Sequence, residues 1–200
     1  MRYFTSIAAS RSRHCSGSRR PRRSLPSNEL AFVVEPRLLR GAALSSEGVF
    51  DDAAACLREG LAVGTMFYRP YGFARLAEAL TLRGSHEAAL SAVKDGQKVQ
   101  EETGNRTWEA ELYRLEGVAF FGLNRLEEGQ GALEKALGVA RQQRAKAYEL
   151  RAATSLARLW GERSRRAEAR ELLAPVYGWF TEGFDTADLK EAKRLLDELA

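Results

Sequence analysis

Several of the usual carriers of chemistry are scarce in this chain. Its 200 residues hold two cysteines, two histidines and five prolines. Cys15 and Cys56 cannot build the disulfide framework on which small secreted domains depend, so a reducing, cytoplasmic compartment fits. Cys56 lies beside Leu57 in an apolar stripe and reads as an unpaired, small core residue. His14 stands next to Cys15, but no second pair completes a metal site, and His86 reads as a solvent-exposed turn residue. There is no G-x-x-x-x-G-K-[ST] phosphate loop and no dinucleotide fingerprint, because the glycines fall at turns and helix crossings. No metal, no cofactor and no enzymatic activity are therefore expected. Long apolar runs are missing as well. Ala31 to Val34, the longest at the start of the body, is far too short to span a bilayer.

Acidic residues are absent from positions 1–28, which carry seven arginines (Arg2, Arg11, Arg13, Arg19, Arg20, Arg22, Arg23). Removing them leaves 24 basic and 27 acidic residues in 29–200, a net charge of −3 against +4 for the whole chain. A slightly acidic body offers no electrostatic footprint for a phosphate backbone, so nucleic-acid binding by 29–200 is not expected. The Arg/Ser-rich leader, 1–28, has no apolar period and is expected to be disordered and dispensable for folding. Its composition is that of a transit peptide or a basic arm, and both readings stay open.

What the chain does have is helical periodicity from Leu38 onward. Leu150, Ala153, Ala157 and Trp160 share one stripe, with Ala152, Leu156 and Leu159 on an adjoining one, a face wide enough to be covered from two sides. Breaks at Glu47-Gly48, Gly84-Ser85, Leu123-Asn124-Arg125 and Gly161 to Ser164 divide the pattern into helix pairs. Small residues in each second helix, Ala53, Ala89, Gly129 and Ala167, recur at intervals of 36, 40 and 38 residues. A two-helix unit with that period is the mark of a tetratricopeptide-like solenoid, in which small residues let paired helices cross closely. The expected fold is all-α: about four helix pairs over 29–200 and a C-terminal capping helix. In that last helix Leu189, Ala192, Leu196 and Leu199 form one stripe opposite Lys190, Arg194 and Asp197. Asp185 is the expected N-cap, and Phe184 with Leu189 has the spacing of a hydrophobic staple.

Three stretches also carry a family resemblance: Trp108 to Leu115 (WEAELYRL), Glu149 to Trp160 (ELRAATSLARLW) and the ending Leu172 to Leu199. They resemble the C-terminal tetratricopeptide-type region of bacterial proteins that join a cyclase or DNA-binding domain to an AAA-type ATPase. The likeness extends upstream through Tyr68 to Tyr71 and Leu76 to Ala79, as far as Leu38. It implies a repeat module at the tail of a larger signalling protein, without that protein's catalytic parts.

Two functions follow from these observations. One is a non-enzymatic protein-interaction module that presents first-helix surfaces to a protein or peptide. Tyr71, Glu78, Glu111, Arg114 and Arg151, polar or aromatic residues off the packing stripes, are its candidate partner-binding residues. The other, implied by the resemblance, is a ligand-sensing domain that regulates a linked or separate ATPase, cyclase or transcription activator. No membrane association is expected. Because the resemblance starts part-way into a repeat, the first helix pair is expected to be the least stable, with an apolar patch that is exposed or covered by a second copy.

Overall fold

The computed structural model describes residues 35–64 and 66–200. The readings of the leader, including His14 and Cys15, and a covering role for Phe32 and Val33 lie outside these residues. Among those described there are nine α-helices and no strand. They are α1 (Pro36–Ser46), α2 (Phe50–Val63), α3 (Arg69–Leu82), α4 (His86–Thr103), α5 (Glu109–Gly122), α6 (Leu126–Gln142), α7 (Lys146–Glu162), α8 (Arg166–Tyr177) and α9 (Ala187–Glu198). A 3-10 turn, Met66–Tyr68, leads into α3, and Pro70 occupies its first turn, where a missing N–H sacrifices no bond.

Each odd helix folds back on the even helix that follows, making four hairpins, and α9 closes the array against α7 and α8. The turns inside the hairpins place Gly48, Gly84, Asn124 and Ser164 in the left-handed region, at spacings of 36, 40 and 40 residues. A single left-handed residue reverses the chain tightly enough for the two helices to pack at once. The crossing point then has no room for a side chain. A Cβ on Gly117 of α5 would lie 2.9 Å from the Gly129 carbonyl oxygen of α6, and one on Gly41 of α1 would lie 3.1 Å from that of Ala53 in α2.

The hairpins stack asymmetrically. Each odd helix touches the next odd helix, from α1·α3 to α7·α9, whereas among the described residues no even helix touches the next even one. The odd helices therefore line the inner, concave side, and the even helices splay apart outside. Between the layers runs a core of leucine and alanine, with Leu38, Leu57, Leu80, Leu112, Leu133, Leu156 and Leu173 all fully buried. The stripe on α9 is buried as expected, and Leu195 joins it.

Five local expectations need correcting. In α8 the fully buried small residue is Ala169, 40 positions after Gly129, whereas Ala167 is exposed, because the helix turns the former toward α7. The N-cap of α9 is Thr186 rather than Asp185, and no side chain caps the helix. The Thr186 hydroxyl instead donates to the Gly183 carbonyl at 2.7 Å, because Gly183 (φ +75) turns the chain just before the helix. Phe184 stacks near Tyr177, with ring centres 5.8 Å apart. His86 packs its imidazole against Gly122 of α5, at a distance that a Cβ there would violate, rather than extending into solvent. Cys56 is fully buried but is disulfide-bonded, so it is not the unpaired core thiol expected.

Candidate functional site in the inner groove

The concave surface collects charge by a simple rule. Residues three apart on a helix face the same way, and two of the inner helices contribute such a pair while two more add one residue each. Arg75 and Glu78 come from α3, Glu111 and Arg114 from α5, Arg151 from α7 and Asp188 from α9. Since these helices lie side by side, the six side chains meet. Glu111 is the centre, its carboxylate wholly removed from solvent. Arg114 donates to it twice, Nε to Oε2 at 2.9 Å and Nη2 to Oε1 at 2.8 Å. Arg151 approaches at 3.0 Å and Arg75 at 3.4 Å. Glu78 receives Arg151 at 2.8 Å and Arg75 at 2.9 Å, with Arg114 at 3.9 Å, and Asp188 stands 3.7 Å from Arg151.

Three guanidinium groups thus face three carboxylates, and the network is neutral. A lone buried carboxylate would be costly by several kcal/mol, and only complete pairing offsets that cost. Burial pushes the Glu111 carboxyl up, but Arg114, Arg151 and Arg75 outweigh it and hold the group below the usual glutamate range. Arg114 is held in its charged form by the same contact, against the effect of burial.

An aromatic file runs beside the charges. Tyr71 of α3 lies 4.9 Å from Trp108, the residue before α5, and Trp108 lies 5.8 Å from Tyr148 of α7. Contacts of this kind tie three successive repeats together. Burial, and then the negative charge of Glu111, push the Tyr148 hydroxyl up to about 12, and burial raises that of Tyr71 too. Both remain protonated near neutrality.

Next to the network a cleft of about 250 Å³ opens between the inner helices. Leu115, Val118 and Leu159 are in its wall, and Glu78, Arg151 and Asp188 stand on its rim. Such a combination suits a ligand with one apolar group to bury and polar groups to orient.

All five residues expected to meet a partner come from inner helices. Glu78, Glu111, Arg114 and Arg151 belong to the network, and Tyr71 to the aromatic file beside it. Glu111 is too deep to touch a partner directly, so its role is to hold the arginines in place. Arg75 and Asp188 are additions that the sequence reading lacks. Arg75 is detectable from its spacing to Glu78, which repeats that of Glu111 and Arg114 with the signs reversed. Asp188 reads in sequence as an acid suited to a helix first turn, and only the approach of α9 to α7 brings it to Arg151. Among the described residues no group of His, Cys, Asp or Glu is placed to hold a metal, and no helix is long and apolar enough to cross a membrane.

Fold and groove together define an α-solenoid of tetratricopeptide-like repeats. Solved structures support this class. The chain is similar to a Podosopora anserina protein described as a putative kinesin light chain with nearly identical TPR-like repeats, at 16% identity and a TM-score of 0.60, covering 83% of this chain and 84% of that one. A point variant of the same protein superposes with a TM-score of 0.61 at the same identity and coverage. At that identity the likeness concerns the fold alone. No protein-family model and no curated protein sequence matches the chain.

Proposed function

We propose that the chain is a non-enzymatic interaction module that takes a peptide segment of a protein partner into the groove of α3, α5, α7 and α9. The observation that carries this reading is the cleft beside the Glu111 network. Its wall is apolar, and its rim charges are fixed before any partner arrives, which lowers the entropy lost on binding. Glu78, Arg114 and Arg151 act as polar contacts, Tyr71 adds an aromatic one, and Glu111 positions the arginines.

In this reading residues 1–28 are a leader and 29–200 the repeat domain, and neither nucleic acid nor membrane is a partner of 29–200. A cytoplasmic location rests on the scarcity of cysteine alone, and the Cys56 disulfide argues the other way. Self-association through the first helix pair is supported by Leu39 and Val63, which are 53% and 49% exposed. The likeness of Trp108 to Leu115 and Leu172 to Leu199 to cyclase–ATPase tails supports a finer version, in which the bound segment regulates such a signalling protein.

Selection of peptides from a displayed library against the purified full chain tests the proposal. Selected peptides should bind a Ser155→Trp variant about tenfold more weakly or worse, because the indole fills the cleft. Equal binding by both forms at an unchanged melting temperature would place the ligand elsewhere and overturn the groove reading. Turnover of a nucleotide by the purified chain would overturn the non-enzymatic one.

A further inference from the structure

Arg144 adopts a backbone conformation that arginine rarely takes. Its φ is +54, in the left-handed region, at the turn between α6 and α7. Forty positions earlier, in the matching turn between α4 and α5, Gly104 has a φ of +68. Glycine takes that conformation without a steric cost, whereas a side chain with a Cβ does not. A bulky residue held there directs attention to what its side chain does.

The Arg144 side chain lines a cavity of about 500 Å³ together with Arg141, Lys146, Glu149 and Trp179. Three cations share this space with one carboxylate. Glu149 is nearly buried and accepts from Arg141 Nε at 3.0 Å and from Lys146 Nζ at 2.7 Å, so it fixes both in position. Arg144 forms no ion pair among the described residues. Trp179, in the linker between α8 and α9, is 57% exposed, and the Lys146 ammonium lies 5.5 Å from its ring centre. Two positive charges in excess, set beside an open indole face, form an arrangement with a specific complement. It lies at the turn edge of the solenoid, and none of its residues lines the inner cleft.

We infer that this cavity is a second binding site, for an anionic group (a carboxylate or phosphate) borne on a flat or apolar body that rests against Trp179. The Arg144 guanidinium and the Lys146 ammonium supply charge-assisted hydrogen bonds to the anion, and the indole covers the adjoining body. The inference does not depend on the groove: Ser155→Trp leaves this cavity untouched.

Indole fluorescence of the full chain provides the readout. Three probes are titrated at low salt: inorganic phosphate, a short synthetic peptide containing Phe-Glu, and the same peptide with phosphoserine in place of glutamate. At least one should give a saturable change, and the ranking of the three separates a carboxylate source from a phosphate one. Arg144→Gly, which suits the left-handed backbone, should keep or slightly raise the melting temperature while weakening the best probe about tenfold. Trp179→Phe should remove most of the signal. The inference is overturned if no probe saturates, or if Arg144→Gly binds the best probe as tightly as the parent chain.

Discussion

Two sets of ion pairs, one around Glu111 and one among the solvent-exposed side chains of α9, use the same residue types to different effect. On α9, Lys193 pairs with Asp197 at 2.6 Å and Arg194 with Glu191 at 2.9 Å. These distances are in the same range as those around Glu111, yet Lys193, Arg194 and Asp197 are each more than half exposed. In water an ion pair gains little, because each charge was already well solvated and the side chains lose freedom on pairing. Around Glu111 water is excluded, the interactions are stronger, and the cost of leaving one charge unpaired rises with them. Distance alone does not rank these contacts. Burial does.

The strongest way to break the contrast is Glu111→Ala. It leaves Arg75, Arg114 and Arg151 crowded together with one carboxylate fewer, and should lower stability by about 3–5 kcal/mol in urea unfolding. A loss below about 1 kcal/mol would mean that water already reaches the network, and the two regions would then be alike. Next in size is Gly117→Val, which spreads α5 from α6 beneath the network. Its Cβ would lie 2.6 Å from Leu133 Cγ, so overpacking should cost about 1–3 kcal/mol by the same measurement.

A pH series sharpens the comparison further. The folded-state value of Glu111 lies below its unfolded value, so its contribution is fully present above the unfolded value, about 4.3. The contribution is lost as pH falls through the folded value. The gap in melting temperature between the parent chain and Glu111→Gln should therefore stay constant from pH 7 to about pH 5.5 and narrow in more acidic solution. A gap independent of pH down to the acid limit would show that Glu111 does not titrate with folding. The smallest effect belongs to α9. Lys193→Ala should change stability by less than about 0.5 kcal/mol, and the change should shrink in 1 M salt.

Much of the architecture is legible along the chain. The 36 and 40 residue recurrence of Ala53, Ala89 and Gly129 identifies two-helix repeats, because close crossings tolerate only small side chains, although in the last pair that place belongs to Ala169 rather than Ala167. The apolar stripe of α9 likewise shows which face is buried. Less is legible at the helix ends. The cap of α9 lies one residue beyond Asp185 because Gly183, two positions before that aspartate, sets the turn geometry. His86, polar and next to a turn, reads as solvent-exposed, yet Gly122 on another helix leaves the space into which its ring packs.

Periodicity and side-chain size along the chain are enough to specify an all-α solenoid of two-helix repeats and to place Glu78, Arg114 and Arg151 outside the apolar stripes. Each repeat obeys the same short-range rules, so no knowledge of its neighbours is needed for that much. Tertiary structure alone decided that these charges form one network with Arg75 and Asp188, that Glu111 is its buried centre, and that Trp179 comes to rest beside Arg144 and Lys146. Those facts depend on how far one repeat is rotated against the next, a quantity set by side chains from several helices packing simultaneously.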